Sequence, residues 1–294
     1  MLPIIQSLWI GAPLSNLEKL CVQSFLDHGH EFHLYTYADI DGVPEGAVIK
    51  DGNEILPYSE LTGGVTQESG VLSDYFRYAL LNQKGGWWVD MDTVCLRPFE
   101  FSEEIVFCKW ASGRYTFPNS PLRFPAGHPL MRTLQKVIQK NLHKKGLVRT
   151  KVGGPPVFTE QIYKANLQHL TVPSMRFFLP HENEAAYFND SYRDGLHFPA
   201  NAHALHVYNS VLVRRGVDKN TQFDSDSLFE QLKAHHHIPQ APGARRVTSA
   251  EVDAWQQDRA NREMKARHRR ENREKALWAA VAVLALALVS LSVL

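Results

Sequence analysis

The chain has 294 residues, 44% of them hydrophobic, and a formal net charge of +1 at pH 7. This length and composition fit one domain of about 230 residues with a sizeable core and an additional segment. The near-neutral charge excludes the pervasive basic surface of nucleic-acid-binding domains. The three cysteines have an odd count and no CxxC spacing, so we expect reduced, buried thiols rather than a disulfide framework or a zinc site.

Strand-like and helical segments alternate along the first half of the chain. The predicted strands are 3–10, 31–37, 87–94 and 104–109, and the predicted helices are 16–28, 73–84 and 129–142. This alternation predicts an α/β fold with a largely parallel sheet. Ligands bind beyond the carboxyl ends of the strands in such sheets, so we expect a site where strands 3–10 and 87–94 end. The chain opens on the first strand, and we expect no secretory signal peptide.

Residues 73–92 are the most informative stretch. Ser73 is typical of a helix N-cap, Gly85-Gly86 ends the helical run, and the next three residues, Trp-Trp-Val, are typical of a buried strand. If the chain stays extended, Asp90 and Asp92 point to one side. Two carboxylates this close favour a divalent cation between them, and through that cation a diphosphate.

An Asp-x-Asp pair is weak evidence by itself, because the chain has two others. The pair at 39–41 precedes a glycine and favours a turn, and the pair at 224–226 favours a solvated helix cap. The pair at 90–92 differs because the preceding helix carries Asp74 and Arg77 at i, i+3 near its predicted N-terminus. The alternative interpretation of those two residues is a local ion pair that contributes little if exposed.

The pattern Asp74-x-x-Arg77, Gly85-Gly86 and Asp90-x-Asp92 resembles the sugar-binding motif of DXD glycosyltransferases of the family 32 type. That family includes α-1,4-galactosyltransferases, initiating α-1,6-mannosyltransferases and, more distantly, glucosylating toxins. Three further blocks resemble the family and occur in its order. They are a first strand ending in Trp9-Ile10-Gly11, a segment Gly153-Gly154-Pro155 with Thr159, and a late block 203–210 in which Tyr208 replaces the usual Trp.

The resemblance implies a GT-A-like, Rossmann-type α/β/α sandwich. It also implies a retaining hexosyltransferase that depends on Mn²⁺ or Mg²⁺ and uses a nucleotide-sugar donor, most simply a UDP-sugar. With the membrane anchor predicted below, the acceptor would be a glycan or glycolipid in surface polysaccharide or glycolipid synthesis. The net charge gives no reason to expect a nucleic acid as a partner.

The resemblance assigns roles to the matching residues. Asp74, Arg77 and Asp90 are the expected catalytic residues, which would orient the donor sugar. Asp92, Asp90 and His206 are the expected metal ligands. For His206, which lies in an apolar run, a buried core histidine is the alternative.

The remaining residues of the predicted site would bind donor or acceptor. Donor binding would involve the five residues above together with Trp9, which would stack on the base, Ile10, Gly11 and Ser210. Acceptor binding would involve Gly154, Pro155 and Thr159.

The C-terminal part changes in composition. A Pro- and Gly-containing stretch, 236–247, predicts a linker after a glycosyltransferase domain over 1–235. A capping box at Thr248 and Glu251 predicts a basic juxtamembrane helix, 248–276. Residues 277–294 contain no charged residue, and eighteen helical residues span about 27 Å, so they predict a single-pass tail anchor. The basic residues before it would keep the catalytic domain in the cytoplasm. A core or oligomerisation helix is the alternative.

Two other functions remain open at this point. One is a catalytically inactive, tail-anchored carbohydrate-binding or scaffold protein on the same fold. The other is a metal-dependent phosphohydrolase, although such enzymes usually need a larger carboxylate and histidine set to hold two ions.

Overall fold

The computed structural model describes residues 1–11, 13–62, 69–110, 117–142, 152–172, 176–178, 187–192, 194–207, 209–214, 216–255, 257–258, 261, 264–265 and 267–275. Its strands are β1 Ile5–Leu8, β2 Phe32–Thr36, β3 Val48–Asp51, β4 Gly86–Trp88, β5 Thr93–Cys95, β6 Leu122–Phe124, β7 Phe177–Phe178 and β8 Ala204–His206. Its α-helices are α1 Asn16–Asp27, α2 Tyr58–Thr62, α3 Ser69–Gln83, α4 Pro129–Leu142, α5 Pro155–Lys164, α6 Asn209–Arg214 and α7 Leu228–His235. Further helical residues lie within 249–275.

The central sheet has five strands in the order β3-β2-β1-β4-β6. Its pairings are parallel except that β6 runs antiparallel to β4. Neighbouring side chains on β4 point to opposite faces, as strand geometry requires. Trp87 packs on the face covered by α1, and Trp88 packs on the face covered by α3, α4 and α5. The fold is therefore mixed α/β, with helices on both faces of a mainly parallel sheet.

A second, three-stranded sheet has the order β5-β8-β7. β5 pairs antiparallel with β8, in a register that places Thr93 opposite His206. This sheet is joined to α1, because the Cys95 backbone N–H donates to Ser24 Oγ at 2.8 Å. The pairing brings the late part of the chain next to the end of β4.

Two predicted boundaries differ from the structure. Helix α3 begins at Ser69 rather than at Ser73, because Val71 and Leu72 are buried in the core and packing extends the helix past the capping signal. The predicted strand 104–109 is reduced to isolated bridges at Val106 and Cys108, so its apolar pattern reflects burial rather than a strand ladder.

Residues 245–255 pack against the domain. Val247 and Val252 are buried in a cluster with α7, and Trp255 packs on that cluster. The Val247 N–H donates to the Gln222 carbonyl at 2.9 Å, and the Ser249 N–H donates to an Asp224 carboxylate oxygen at 2.7 Å. The division into domain, linker and basic helix stays a prediction, and these contacts lead us to propose that the folded unit extends beyond residue 235.

The predicted fold included a C-terminal membrane helix, and this part of the prediction is wrong. Among the residues that the structure describes, no helix combines the length and the apolar character needed to cross a bilayer. The predicted span 277–294 lies outside the described residues, and the predicted tail anchor and membrane localisation are withdrawn.

The packing of residues 245–255 predicts that two truncations will differ in stability. A chain ending after Gln240 loses Val247 and Val252, each of which contributes about 1.5–3 kcal/mol when fully buried, so its melting temperature should fall by several degrees. A chain ending after Asp258 keeps these contacts and should melt close to the full-length protein. Thermal unfolding of both chains by circular dichroism tests this, and equal melting temperatures would contradict it.

Gly85, between α3 and β4, lies in the left-handed region at φ +66°, and a Cβ there would lie 2.4 Å from the Ala126 backbone nitrogen. Gly127 has a similar φ of +73°, but a Cβ there would meet nothing within 4 Å. Replacing either glycine by alanine should cost about 1 kcal/mol, because alanine is strained in the left-handed region. Gly85→Ala alone adds a backbone clash, so urea unfolding should show a clearly larger loss for Gly85→Ala than for Gly127→Ala.

Candidate active site

The two aspartates of the Asp-x-Asp pair lie on a turn rather than on a continuing strand. β4 ends at Trp88, the Thr93 N–H donates to the Asp90 carbonyl at 3.0 Å, and β5 begins at Thr93. The predicted strand 87–94 is therefore divided in two. The turn, not strand alternation, brings the carboxylates of Asp90 and Asp92 together.

Arg77 is a buried cation held between two carboxylates. Its side chain is 3% exposed, with Nη2 at 2.5 Å from Asp90 Oδ1 and Nη1 at 3.1 Å from Asp74 Oδ1. Its Nη1 also donates to the Asn119 carbonyl at 2.8 Å, and its guanidinium lies 5.1 Å from the centre of the Trp88 ring. Burial lowers the pKa of Arg77, but Asp90 and Asp74 outweigh burial and leave this pKa raised, so the residue is charged.

Two residues that the sequence did not single out support this ion pair. Asn119 Nδ2 donates to Asp74 Oδ1 at 2.7 Å, and Ser120 Oγ accepts the Asp90 backbone N–H at 2.9 Å. Both residues lie in the segment before β6. In the sequence they appear only as an Asn-Ser pair between two prolines, which does not indicate contacts with Asp74 or Asp90. Those contacts depend on the folded sheet.

Asp92 is paired with His206. Its Oδ1 lies 3.0 Å from His206 Nε2, and its Oδ2 accepts the Asn209 N–H at 2.8 Å. Burial raises the pKa of Asp92, but the His206 charge and the Asn209 N–H leave this pKa lowered. Burial lowers the pKa of His206, and the charge of Asp92 leaves it raised. His206 is thus placed beside Asp92, and its role as a metal ligand stays a prediction.

The side chains of Asp90, Asp92 and His206 are arranged so that they could hold a divalent metal ion. One ligand atom from each of Asp90, Asp92 and His206 lies within 4.8 Å of the others. Asp92 Oδ1 is buried and has no hydrogen bond of acceptable geometry from the described residues, although His206 Nε2 is 3.0 Å away. Arg77 and Trp88 both donate to Asp90 Oδ1. These contacts orient Asp90 and leave its second oxygen for coordination. Two carboxylates and an imidazole can ligate a divalent cation when water and substrate oxygens complete the shell.

The end of β1 lies beside the end of β4. The Val89 N–H donates to the Gln6 carbonyl at 3.0 Å, and Ser7 Oγ donates to the Val89 carbonyl at 2.7 Å. Trp9 and Ile10 follow β1 and are half-buried. Gly11 is exposed at φ +116°, where a Cβ would meet nothing within 4 Å. A side chain or ligand could thus approach Gly11 without a clash at the Cβ position.

The remaining predicted site residues lie on two helices, α5 and its N-cap for the expected acceptor residues and α6 for Ser210. Ser210 lies in α6, directly after the residue that donates to Asp92, but its side chain lies outside the described residues. Gly154 is the N-cap of α5, and Pro155 is its first residue. Thr159 Oγ1 accepts the Phe117 N–H at 3.1 Å, so its hydroxyl is engaged with the main chain. The acceptor assignment of these residues stays a prediction.

The burial of Arg77 predicts a stability effect. Arg77→Met leaves Asp74 and Asp90 without their cation, and breaking a buried pair costs about 3–5 kcal/mol. We expect urea unfolding to show a loss of at least about 2 kcal/mol, since Asp90 is partly exposed. Arg132→Met, on the exposed side of α4, is the control and should change stability little. A stability of Arg77→Met equal to that of the wild type would contradict a buried pair.

The segment that carries Asp74, Arg77, Asp90 and Asp92 matches a protein-family model. Residues 65–109 match the family model described as "Glycosyltransferase sugar-binding region containing DXD motif". Toxin Afp18 from Yersinia ruckeri is 31% identical over 111 residues, covering 35% of this chain and 5% of the toxin. Initiation-specific alpha-1,6-mannosyltransferase from Candida albicans is 25% identical over 138 residues, covering 34% of this chain and 36% of that enzyme. The chain thus spans only a small part of these relatives.

Among solved structures, the protein titled "PaToxG Glycosyltransferase" matches with a TM-score of 0.46 and 17% identity, over 79% of this chain and 87% of that one. Residues 65–109 contain Asp74, Arg77, Asp90 and Asp92, the same residues that the structure brings together. The resemblance to DXD glycosyltransferases, inferred from the sequence, is confirmed.

Proposed function

We propose that this chain is a metal-dependent, retaining glycosyltransferase. It would move a hexose from a nucleotide sugar, most simply a UDP-hexose, to a hydroxyl group of a glycan or glycolipid acceptor. One observation carries the proposal: Asp90 and Asp92, which lie in the segment that matches a sugar-binding region, converge with His206 beside the buried Asp74–Arg77 pair.

Asp90, Asp92 and His206 would hold the divalent metal. When bound, such an ion supplies Lewis-acid stabilisation of the negative charge that develops on a diphosphate leaving group. The protein's own contribution is to fix the ligands before substrate arrives. Arg77 and Trp88 orient Asp90, while the Asn209 N–H orients Asp92.

Asp74 and Asp90 would accept hydrogen bonds from the hydroxyl groups of the donor sugar. Arg77 is less suited to direct contact, because its two terminal nitrogens already bind Asp74, Asp90 and the Asn119 carbonyl. Its Nε is buried and without a hydrogen-bond partner among the described residues. We therefore assign Arg77 to orienting the two carboxylates, which would fix the anomeric carbon toward the acceptor.

The transfer breaks the bond between the anomeric carbon and the diphosphate oxygen, and the electron pair leaves with the diphosphate. The acceptor oxygen forms the new bond on the same face, and its proton passes to the departing diphosphate oxygen. No residue of the site is required as a covalent nucleophile, so we favour front-face substitution. Trp9 would stack on the base, and the acceptor would enter near Gly154.

Asp92→Asn tests the metal ligand. The amide keeps an acceptor for the Asn209 N–H but removes the ligand charge, so donor turnover should fall by about 100-fold or more while the melting temperature changes little. Asp226→Asn, in another Asp-x-Asp pair, is the control and should keep wild-type turnover. The assay is Mn²⁺-dependent hydrolysis and transfer from UDP-glucose, UDP-galactose, UDP-N-acetylglucosamine and GDP-mannose.

Three outcomes would contradict the proposal. Full activity of Asp92→Asn would show that Asp92 is not a required metal ligand. Turnover unaffected by EDTA would show that the reaction needs no metal ion. A wild-type protein that binds a nucleotide sugar but never cleaves it would favour the inactive carbohydrate-binding alternative.

A further inference from the structure

Glu18 is a buried carboxylate near the beginning of α1. Its side chain is 1% exposed, and its Oε2 accepts hydrogen bonds from the Ser15 N–H at 2.9 Å and the Ser15 hydroxyl at 2.5 Å. A carboxylate this deeply buried is unfavourable unless a cation is paired with it. Its other oxygen, Oε1, lies 2.5 Å from Lys219 Nζ.

The same Lys219 ammonium lies 4.8 Å from the centre of the Trp9 ring. This distance is within the range of a cation–π interaction, which is strongest with tryptophan. The lysine side chain is 20% exposed, so water screens the contact less than at an open surface. Lys219 therefore contacts both the Trp9 ring, which follows β1, and Glu18 in the first turn of α1.

The chain segment that carries Lys219 also carries the contacts to Asp92. His206 and the Asn209 N–H contact Asp92 at one end of the segment. At the other end, Asn220 Oδ1 accepts the Asn16 N–H at 3.0 Å, and Lys219 contacts Trp9. One stretch, 206–220, thus touches both the metal ligands and the tryptophan.

We propose that Lys219 is a positioning residue for nucleotide binding, which fixes the Trp9 ring by using Glu18 as its anchor. This inference rests on the proposed function, because it takes the ligand of Trp9 to be the base of a nucleoside diphosphate. Loss of the ammonium removes one of the contacts that hold the ring and leaves the Glu18 carboxylate without its cation. The affinity for the nucleotide should fall, while the chemical step, which takes place at Asp74 and Asp90, should change less.

The test compares four variants with the full-length wild type. They are Lys219→Met, Lys219→Arg, the double variant Lys219→Met/Glu18→Gln, and the control Lys164→Met, which breaks an exposed Lys–Glu pair on α5. Isothermal titration with UDP, GDP and ADP, each with Mn²⁺, measures affinity. Donor hydrolysis gives KM and kcat, and thermal unfolding measures stability.

We expect Lys219→Met to weaken nucleotide binding by about tenfold, to raise KM more than it lowers kcat, and to lower the melting temperature. Lys219→Arg should restore most of the affinity, because a guanidinium can make both contacts. The double variant should recover stability, since no buried charge is left unpaired, but not affinity. Lys164→Met should match the wild type.

The outcomes separate the two proposals. If the wild type binds none of the three nucleotides, the proposed function and this inference both fail. If the wild type binds and Lys219→Met binds equally well, only the positioning role fails. If the double variant regains affinity together with stability, Lys219 acts only on the fold, and the positioning role is again overturned.

Discussion

The candidate site depends on one buried positive charge. Arg77 sits on α3 with its side chain 3% exposed, and it draws Asp74 from its own helix and Asp90 from the end of β4 to within ion-pair distance. Burying the three groups together is favourable only because their charges and hydrogen bonds satisfy one another. The contacts of Asn119 and Ser120 follow from this arrangement, since each meets one of the two carboxylate residues. The helix, the sheet and the segment before β6 are thereby fixed relative to one another.

A second pairing, between Asp92 and His206, extends the site toward the late part of the chain. It is fixed by the register of β5 against β8, which places Thr93 opposite His206. The two pairings use neighbouring residues on one short turn, so a small rearrangement of that turn would disturb both. Both ends of the turn continue into strands, β4 before it and β5 after it.

The sequence predicted the parts of the fold that depend on local signals. Gly85-Gly86 marks the end of α3, the helix Pro129–Leu142 has the predicted bounds, and the i, i+3 spacing of Asp74 and Arg77 indicates their contact. The turn at 90–92 was not predicted, because its apolar neighbours are equally compatible with a longer strand. Asn119, Ser120 and Lys219 were also not predicted, since their partners are distant in the chain and only tertiary packing brings them together. The tail-anchor prediction relied on the length and uncharged composition of 277–294 and on the basic residues before it, and it was wrong, because no helix of the described residues is long and apolar enough to cross a bilayer.

The wide separation of the paired residues has a consequence for how the protein is made. Asp92 and His206 are joined by contacts that close a loop of more than a hundred residues, and such non-local contacts form late because closing the loop costs chain entropy. On the ribosome, β1 and β4 leave the exit tunnel long before β8. A nascent chain can therefore assemble the Arg77 ion pairs while the histidine is still absent. The contact between Asp92 and His206 can form only after residue 206 has left the tunnel, so a shorter nascent chain has Asp92 without this partner.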